Sequence, residues 1–433
     1  MTGMPNGLRR ALLHEGRSFK PHGAGRARAR DSSPEAAEGR VSPVDALGAV
    51  VSEPRPLPPS PIALSASLPP KTAFLKVWRD GGAESYGIEG VCCCGIALAY
   101  RRQPRQVRPA RLTLGDLIHG GDGGESPNST LIRLITWSKE ASEDLKGFLS
   151  KIRRAHGDDV YMIIEDLTGY GLPWELLWHR DKDLTVEWLG ALFPIARSVG
   201  RPTAAVTRCT GEILTYVAPD MAGDRALLDR FQVTTREVSL RTLLNSLDAK
   251  GDPVSLVYVA CHGEYGRVDT PYARADMRLI EGPRDSGRGI SLREIHAHDL
   301  LRLEQTGGLV FLNTCHSGRE RVDPDLDNTT LRSFAKVFLD AGASGFIGTM
   351  GEVGREHGYD LAKALLHTLT ENPDTPVVVA LRDCRRKASE PSMKVPAEND
   401  AEAAARLLPF FYAFMYTYFG NPQTTLRPRE EAR

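Results

Sequence analysis

Two apolar runs in the sequence end on side chains that can do hydrolytic chemistry: Ser255-Leu-Val-Tyr-Val-Ala-Cys-His262-Gly263 and Leu309-Val-Phe-Leu-Asn-Thr-Cys315-His-Ser-Gly318. A histidine and a cysteine brought to the same edge of a parallel sheet supply a general base and a nucleophile, the minimum of a cysteine hydrolase. Their separation, 315 − 262 = 53 residues, leaves room for the helical crossover that neighbouring parallel strands need.

Composition frames this chemistry. The 433 residues are 41% hydrophobic and 25% charged, which describes a soluble globular protein with room for two or three domains. The formal net charge of zero supplies no basic excess, so neither nucleic acid nor an anionic membrane is expected as a partner. No run approaches the length of a membrane-spanning helix, and the N-terminus lacks the apolar core of a secretory signal. Seven cysteines in a chain of this length do not make a disulfide framework. A cytoplasmic, reducing setting is expected, in which a thiol stays nucleophilic.

The elements that must position the two side chains follow from patterning. Residues 1–70, rich in Arg, Ala, Pro, Ser and Gly, are expected to be a disordered tail, since they bury too little to offset their ordering entropy. Residues 71–158 are expected to form a small β-rich accessory region, with strands at Thr72–Trp78, Val91–Tyr100, Gln106–Leu114 and Thr130–Thr136 and a helix from Ser138 to Ala155. A buried strand is expected at Val160–Ile164. From Gly211 the chain alternates strands (Glu212–Val217, Val254–Cys261, Leu309–Asn313, Gly345–Gly348) with helices (Leu240–Ala249, Ser291–Leu303, Thr329–Asp340). Two more helices, Tyr359–Leu369 and Val377–Lys387, and a last strand within Phe410–Phe419 follow. This alternation signals an α/β fold with a mostly parallel sheet covered on both faces.

His262-Gly263 after one strand and Asn313-Thr-Cys315-His-Ser-Gly318 after the next resemble the paired signature of CHAT domains, the caspase-like and separase-like cysteine peptidases. Gly171-Leu-Pro-Trp-Glu-Leu-Leu177 resembles the segment that opens such domains, and Phe414 to Pro422 their closing strand and Gly-x-Pro. The separation of 53 is also close to the roughly 50 residues between His and Cys in caspases. Where the commoner motif has an acidic residue after the cysteine, this chain has His316. The resemblance implies a caspase-like sandwich over residues 159–425, with 426–433 as a C-terminal tail. It implies a Cys315–His262 dyad with no third acidic member required and no cofactor, and an oxyanion held by the Gly263 and Cys315 amides. It further implies a protein substrate, such as a pore-forming effector, a regulatory or activating protein, and a bacterial setting in defence or regulated cell death.

Other readings compete at each position. A cysteine ending a strand is commonly a small buried hydrophobe, and a lone histidine a satisfied structural one. The pairs Cys261-His262 and Cys315-His316 suggest a metal, but neighbours on a strand point to opposite faces, so no metal site is expected there. Cys92-Cys93-Cys94 reads as part of a packed strand, since adjacent cysteines lack the spacer of a tetrahedral site. His296 and His298 are expected to face solvent, and Pro173-Trp174-Glu175 to form a structural turn around a buried Trp. In the loop after the cysteine, Asp323, Asp325 and Asp327 either line a pocket for Arg or Lys or are simply solvated, and Arg319 and Arg321 are candidate cleavage positions. A catalytically silent scaffold and a small-amide hydrolase stand as alternatives to the peptidase.

Overall fold

A computed structural model of the chain describes residues 68–79, 86–102, 127–141, 143–169, 171–180, 186–199, 208–229, 233, 235–265, 277–283, 287–322, 331–390 and 400–428. These lie within one compact unit, Pro59–Arg433. The strands in chain order are β1 (Thr72–Arg79), β2 (Tyr86–Cys92), β3 (Ala97–Arg102), β4 (Tyr161–Asp166), β5 (Trp178–Arg180), β6 (Val186–Trp188), β7 (Ile195–Arg197), β8 (Arg208–Val217), β9 (Thr235–Glu237) and β10 (Val254–Ala260). They continue as β11 (His262–Glu264), β12 (Arg278–Ile280), β13 (Gly289–Ser291), β14 (Leu309–Asn313), β15 (Arg321–Val322), β16 (Leu331–Arg332), β17 (Gly345–Thr349), β18 (Tyr416–Gly420) and β19 (Thr425–Pro428).

Twelve of them form one mixed sheet in the order β19-β8-β10-β14-β17-β18-β7-β4-β1-β2-β3, with β9 also pairing with β8. Pairing is parallel at β8–β10, β10–β14, β14–β17 and β4–β1, and antiparallel at β17–β18, β1–β2 and β2–β3. Both faces of the centre are buried, because β10 and β14 are apolar at successive positions rather than alternate ones. Leu256, Tyr258, Leu309 and Phe311 enter one core with the helices Arg355–Glu371, Val377–Ser389 and Asp400–Met415. Val257, Val259, Val310 and Leu312 enter the other with Leu240–Asp248, Leu292–His296 and Phe334–Asp340. The expected α/β architecture, a mostly parallel sheet with helices on both faces, is what the chain adopts.

Several boundaries differ from expectation. Residues 71–158 do not make a sheet of their own: β1 pairs in parallel with β4 and extends the main sheet. Thr130–Thr136 lies inside the helix Pro127–Glu140, whose Leu134 and Trp137 point into the core, so helical burial overrides the strand propensity of the segment. Ser138 does not open a helix but is an inner residue of Pro127–Glu140, donating to the Leu134 carbonyl at 2.7 Å, and the next helix starts at Glu143. Ser291–Leu303 is two helices, parted at Leu300 with φ +49°. Phe410–Met415 ends a helix and only Tyr416–Gly420 is strand. Leu426–Pro428, expected in the tail, lies in β19 beside β8. The expected tail 1–70 apart from 68–70, the strand at Gln106–Leu114 and residues 429–433 fall outside the described residues.

Candidate active site

Strands β10 and β14 are neighbours whose register runs from Leu256 opposite Leu309 to Ala260 opposite Asn313. His262 and Cys315 stand two positions beyond that last pair, so the spacing read in the sequence is the register offset itself. Both positions therefore lie just past the same C-terminal edge of the sheet. Cys261, one position earlier, enters the core of Val257 and Val259, where burial pushes its thiol far up.

Each strand end is then fixed by its own device. After β10, residues His262–Glu264 leave the main sheet and pair with β12, which pairs with β13. After β14 the chain turns tightly through Thr314–Gly318 against the end of β17: the His316 N–H donates to the Gly351 carbonyl at 3.0 Å and the Gly318 N–H to the Thr349 carbonyl at 2.8 Å. The buried Ser317 hydroxyl reaches the carbonyls of Leu312 (3.1 Å) and Thr314 (2.9 Å) and accepts from the Thr349 N–H (3.0 Å). His316 sits at φ +61°, a left-handed conformation that a non-glycine residue holds only where its surroundings impose it. Those bonds to β17 are what impose it.

Below the turn, Asn313 joins four elements. Its Nδ2 donates to Asp224 Oδ1 (2.7 Å) and to the Tyr258 hydroxyl (3.2 Å), and its Oδ1 accepts from the Tyr416 hydroxyl (2.5 Å). The Tyr258 hydroxyl also donates to Asp224. Burial raises the Asp224 carboxyl above its usual range, opposed by those two donors. The network anchors the residue two places before the cysteine, which stands half-buried with its Sγ 3.9 Å from the Val353 carbonyl.

The two strand ends touch. A Cβ on Gly263 would lie 1.9 Å from the Cys315 carbonyl oxygen and 3.3 Å from its nitrogen, so only glycine lets the backbones meet. Chain geometry therefore brings His262, Gly263 and Cys315 together.

One site residue was not legible in the sequence. Asp220, in the loop after β8, places Oδ2 2.8 Å from His262 Nε2, and the Arg355 guanidinium holds the same oxygen at 2.9 Å. A carboxylate can only accept, so this contact places a proton on Nε2, and in the neutral imidazole the lone pair is then on Nδ1. The only signal for Asp220 is positional: β8 lies beside β10, and residues just past the C-terminal ends of parallel strands line the crevice.

Other candidates fall elsewhere. Asp323, Asp325 and Asp327 lie outside the described residues. Arg319 stacks over Tyr265 at 4.4 Å, and Arg321 pairs with Arg332 across β15 and β16. His296 is exposed as expected, but His298 is half-buried and paired through Nδ1 with Asp248 at 2.5 Å, while Asp248 also accepts from the Leu300 N–H at 2.8 Å. Trp174 is buried and donates through Nε1 to Asp166 at 2.9 Å. Glu175 forms a buried bidentate pair with Arg197 (2.6 and 3.1 Å); burial works against its charge, but the guanidinium holds the carboxyl below its ordinary range. The Pro-Trp-Glu segment is thus a structural turn, as its composition suggested.

Residues 211–410, which include both strand ends, match the family model described as "CHAT domain". Over those residues the chain is similar to a CHAT domain. A search of curated proteins finds no match. Among solved structures, the Saccharomyces cerevisiae separase-securin complex at 2.6 Å resolution contains a chain similar over 81% of this one, with 9% identity and a TM-score of 0.45. A second structure of that complex, at 3.0 Å, is similar over 65% of this chain, with 12% identity and a TM-score of 0.36. This chain spans only 30% and 17% of the lengths of those chains. No described helix is long and apolar enough to cross a membrane.

Proposed function

We propose that the CHAT domain is a caspase-like cysteine endopeptidase acting through Cys315 and His262. The observation that carries this reading is the register of β10 against β14, which sets a thiol and an imidazole at matching positions of one sheet edge with Gly263 packed on the Cys315 backbone.

The chemistry runs as follows. His262 Nδ1 takes the proton of the Cys315 thiol, and the thiolate attacks the scissile carbonyl carbon of a polypeptide, moving an electron pair onto the carbonyl oxygen. The Gly263 and Cys315 N–H groups hold that oxyanion, a contribution of about 10²–10³ in kcat per donor in well-studied hydrolases. Collapse of the intermediate breaks the C–N bond as the imidazolium returns its proton to the leaving amine. Water, deprotonated by the same imidazole, then cleaves the thioester. Asp220 acts as a positioning residue: it keeps the proton on Nε2 and stabilises the imidazolium while Nδ1 faces the chemistry.

Asp323, Asp325 and Asp327 would favour a basic residue before the scissile bond if the loop lines that subsite. A fluorogenic peptide library tests both points at once. Cleavage after Arg or Lys supports the peptidase and the acidic subsite, whereas turnover of small amides alone, or none by a folded chain, favours a small-amide hydrolase or a silent scaffold instead.

A further inference from the structure

We propose that Cys92, Cys93 and His156 form a zinc site that ties the β2–β3 hairpin to the end of the helix Glu143–His156. The site lies outside the CHAT residues and is independent of the peptidase chemistry. Read as sequence, three adjacent cysteines are a poor metal set, because they lack the spacer of a tetrahedral site and read as packed strand, whose side chains alternate faces. The fold removes that objection. Cys92 closes β2, and Cys93 and Cys94 already belong to the turn, which the Cys92 N–H bond to the Ile96 carbonyl (2.8 Å), the Gly95 N–H bond to the Cys92 carbonyl (2.9 Å) and Gly95 at φ +86° hold tight. Alternation stops there, and the sulfurs of Cys92 and Cys93 come within 4.0 Å of each other.

The third ligand arrives from far along the chain. His156 is the last residue of its helix, followed by Gly157 at φ +71°. The helix packs closely on β2, since a Cβ on Gly90 would come within 3.1 Å of the Phe148 ring. This seats His156 Nε2 3.2 Å from Cys92 Sγ and 4.0 Å from Cys93 Sγ. A tetrahedral zinc with Zn–S near 2.3 Å and Zn–N near 2.0–2.1 Å has S–S edges of about 3.8 Å and S–N edges of about 3.6 Å. The triangle formed by the three atoms matches those edges to within about 0.4 Å. A disulfide does not explain it, because the sulfurs stand at 4.0 Å and the bond needs about 2.05 Å.

The donor set selects the ion. Two thiolates and an imidazole suit a borderline-soft cation and not the oxygen-seeking Mg²⁺ or Ca²⁺. On binding, the Cys92 and Cys93 thiols each release a proton to solvent, so the two thiolates balance the charge of Zn²⁺, and neutral His156 binds through Nε2. The end of a helix, where carbonyls carry negative partial charge, favours a cation as well. The fourth position falls to the exposed Cys94 or to water.

The test is the metal content of the full chain purified under reducing conditions from zinc-supplemented medium, with the absorption spectrum after replacement by Co²⁺. About one zinc per chain is expected, with the thiolate-to-cobalt charge transfer of a tetrahedral site. Zinc should be retained in Cys315→Ala. It should be lost in Cys92→Ser and His156→Ala by at least the roughly tenfold weakening that even an outer-shell change produces. If those variants fail to fold, the wild-type chain still decides: zinc must protect Cys92 and Cys93 from alkylation, and a chelator must expose them. Zinc absent from the folded wild type, zinc lost in Cys315→Ala, or Cys92 found joined to Cys93 overturns the proposal. Retention of zinc in Cys94→Ser assigns the fourth position to water, and its loss assigns it to Cys94; both support the site.

Discussion

The carbonyl oxygen of Cys315 lies where a Cβ of residue 263 would be, at 1.9 Å. The Cys315 loop and the His262 loop are therefore locked backbone to backbone. Gly263→Ala must push them apart, at a cost of about 1–3 kcal/mol as overpacking generally exacts. Because Gly263 is also a proposed oxyanion donor, kcat should fall by at least about 10². Thermal unfolding and steady-state kinetics on the same preparation read both effects. Wild-type stability and activity in the variant would show that the contact is not made.

Asp220 accepts from His262 Nε2 and is itself held by Arg355. Asp220→Ala should reduce kcat about tenfold to a hundredfold, less than the 10²–10⁴ typical of losing a general base outright. KM should change little, because no substrate contact is removed. Asp220→Glu should restore part of the loss. A change confined to KM would assign Asp220 to substrate binding instead.

Asn313 satisfies Asp224, Tyr258 and Tyr416 at once. Asn313→Leu leaves these buried polar groups short of partners, at about 1–3 kcal/mol for each group stranded. Denaturant unfolding should show a loss of about 2–4 kcal/mol, well above that of a typical surface substitution.

Glu320, half-buried two residues beyond Gly318, has its carboxyl raised from 4.5 to about 8, mainly by burial and further by Asp166, with Arg197 opposing. The folded state thus holds this proton more tightly than the unfolded chain. Its contribution favours folding below about pH 4.5 and is lost as pH rises to about 8. Glu320→Gln, which never ionises, should melt close to wild type at the acid end of that window and above it at the alkaline end. Parallel melting curves across the window would contradict the assignment.

What the sequence reveals here depends on how local the cause is. β10 and β14 are legible because burial on both faces leaves uninterrupted apolar runs, and the proposed nucleophile and base follow from where those runs stop. Asp220 is not legible, because Pro219-Asp220 looks like any solvated loop and only the pairing of β8 with β10 carries it across the 42 residues to His262. The same holds for His156, which meets Cys92 from 64 residues away. The aromatic run from Phe410 reads as strand because its residues suit a sheet, yet its first part finishes a helix that contains Pro409. Burial among aromatics decides that segment, and composition alone does not distinguish the two kinds of burial.

The most direct test of the peptidase reading is intact-mass analysis after treatment with a thiol-reactive peptide warhead, in wild type, Cys315→Ala and His262→Ala. One adduct is expected on wild type, mapped to Cys315, absent from Cys315→Ala and strongly slowed in His262→Ala, with peptide cleavage lost in both variants. Cleavage that survives Cys315→Ala, or a folded wild type that takes the adduct on another cysteine, would contradict it.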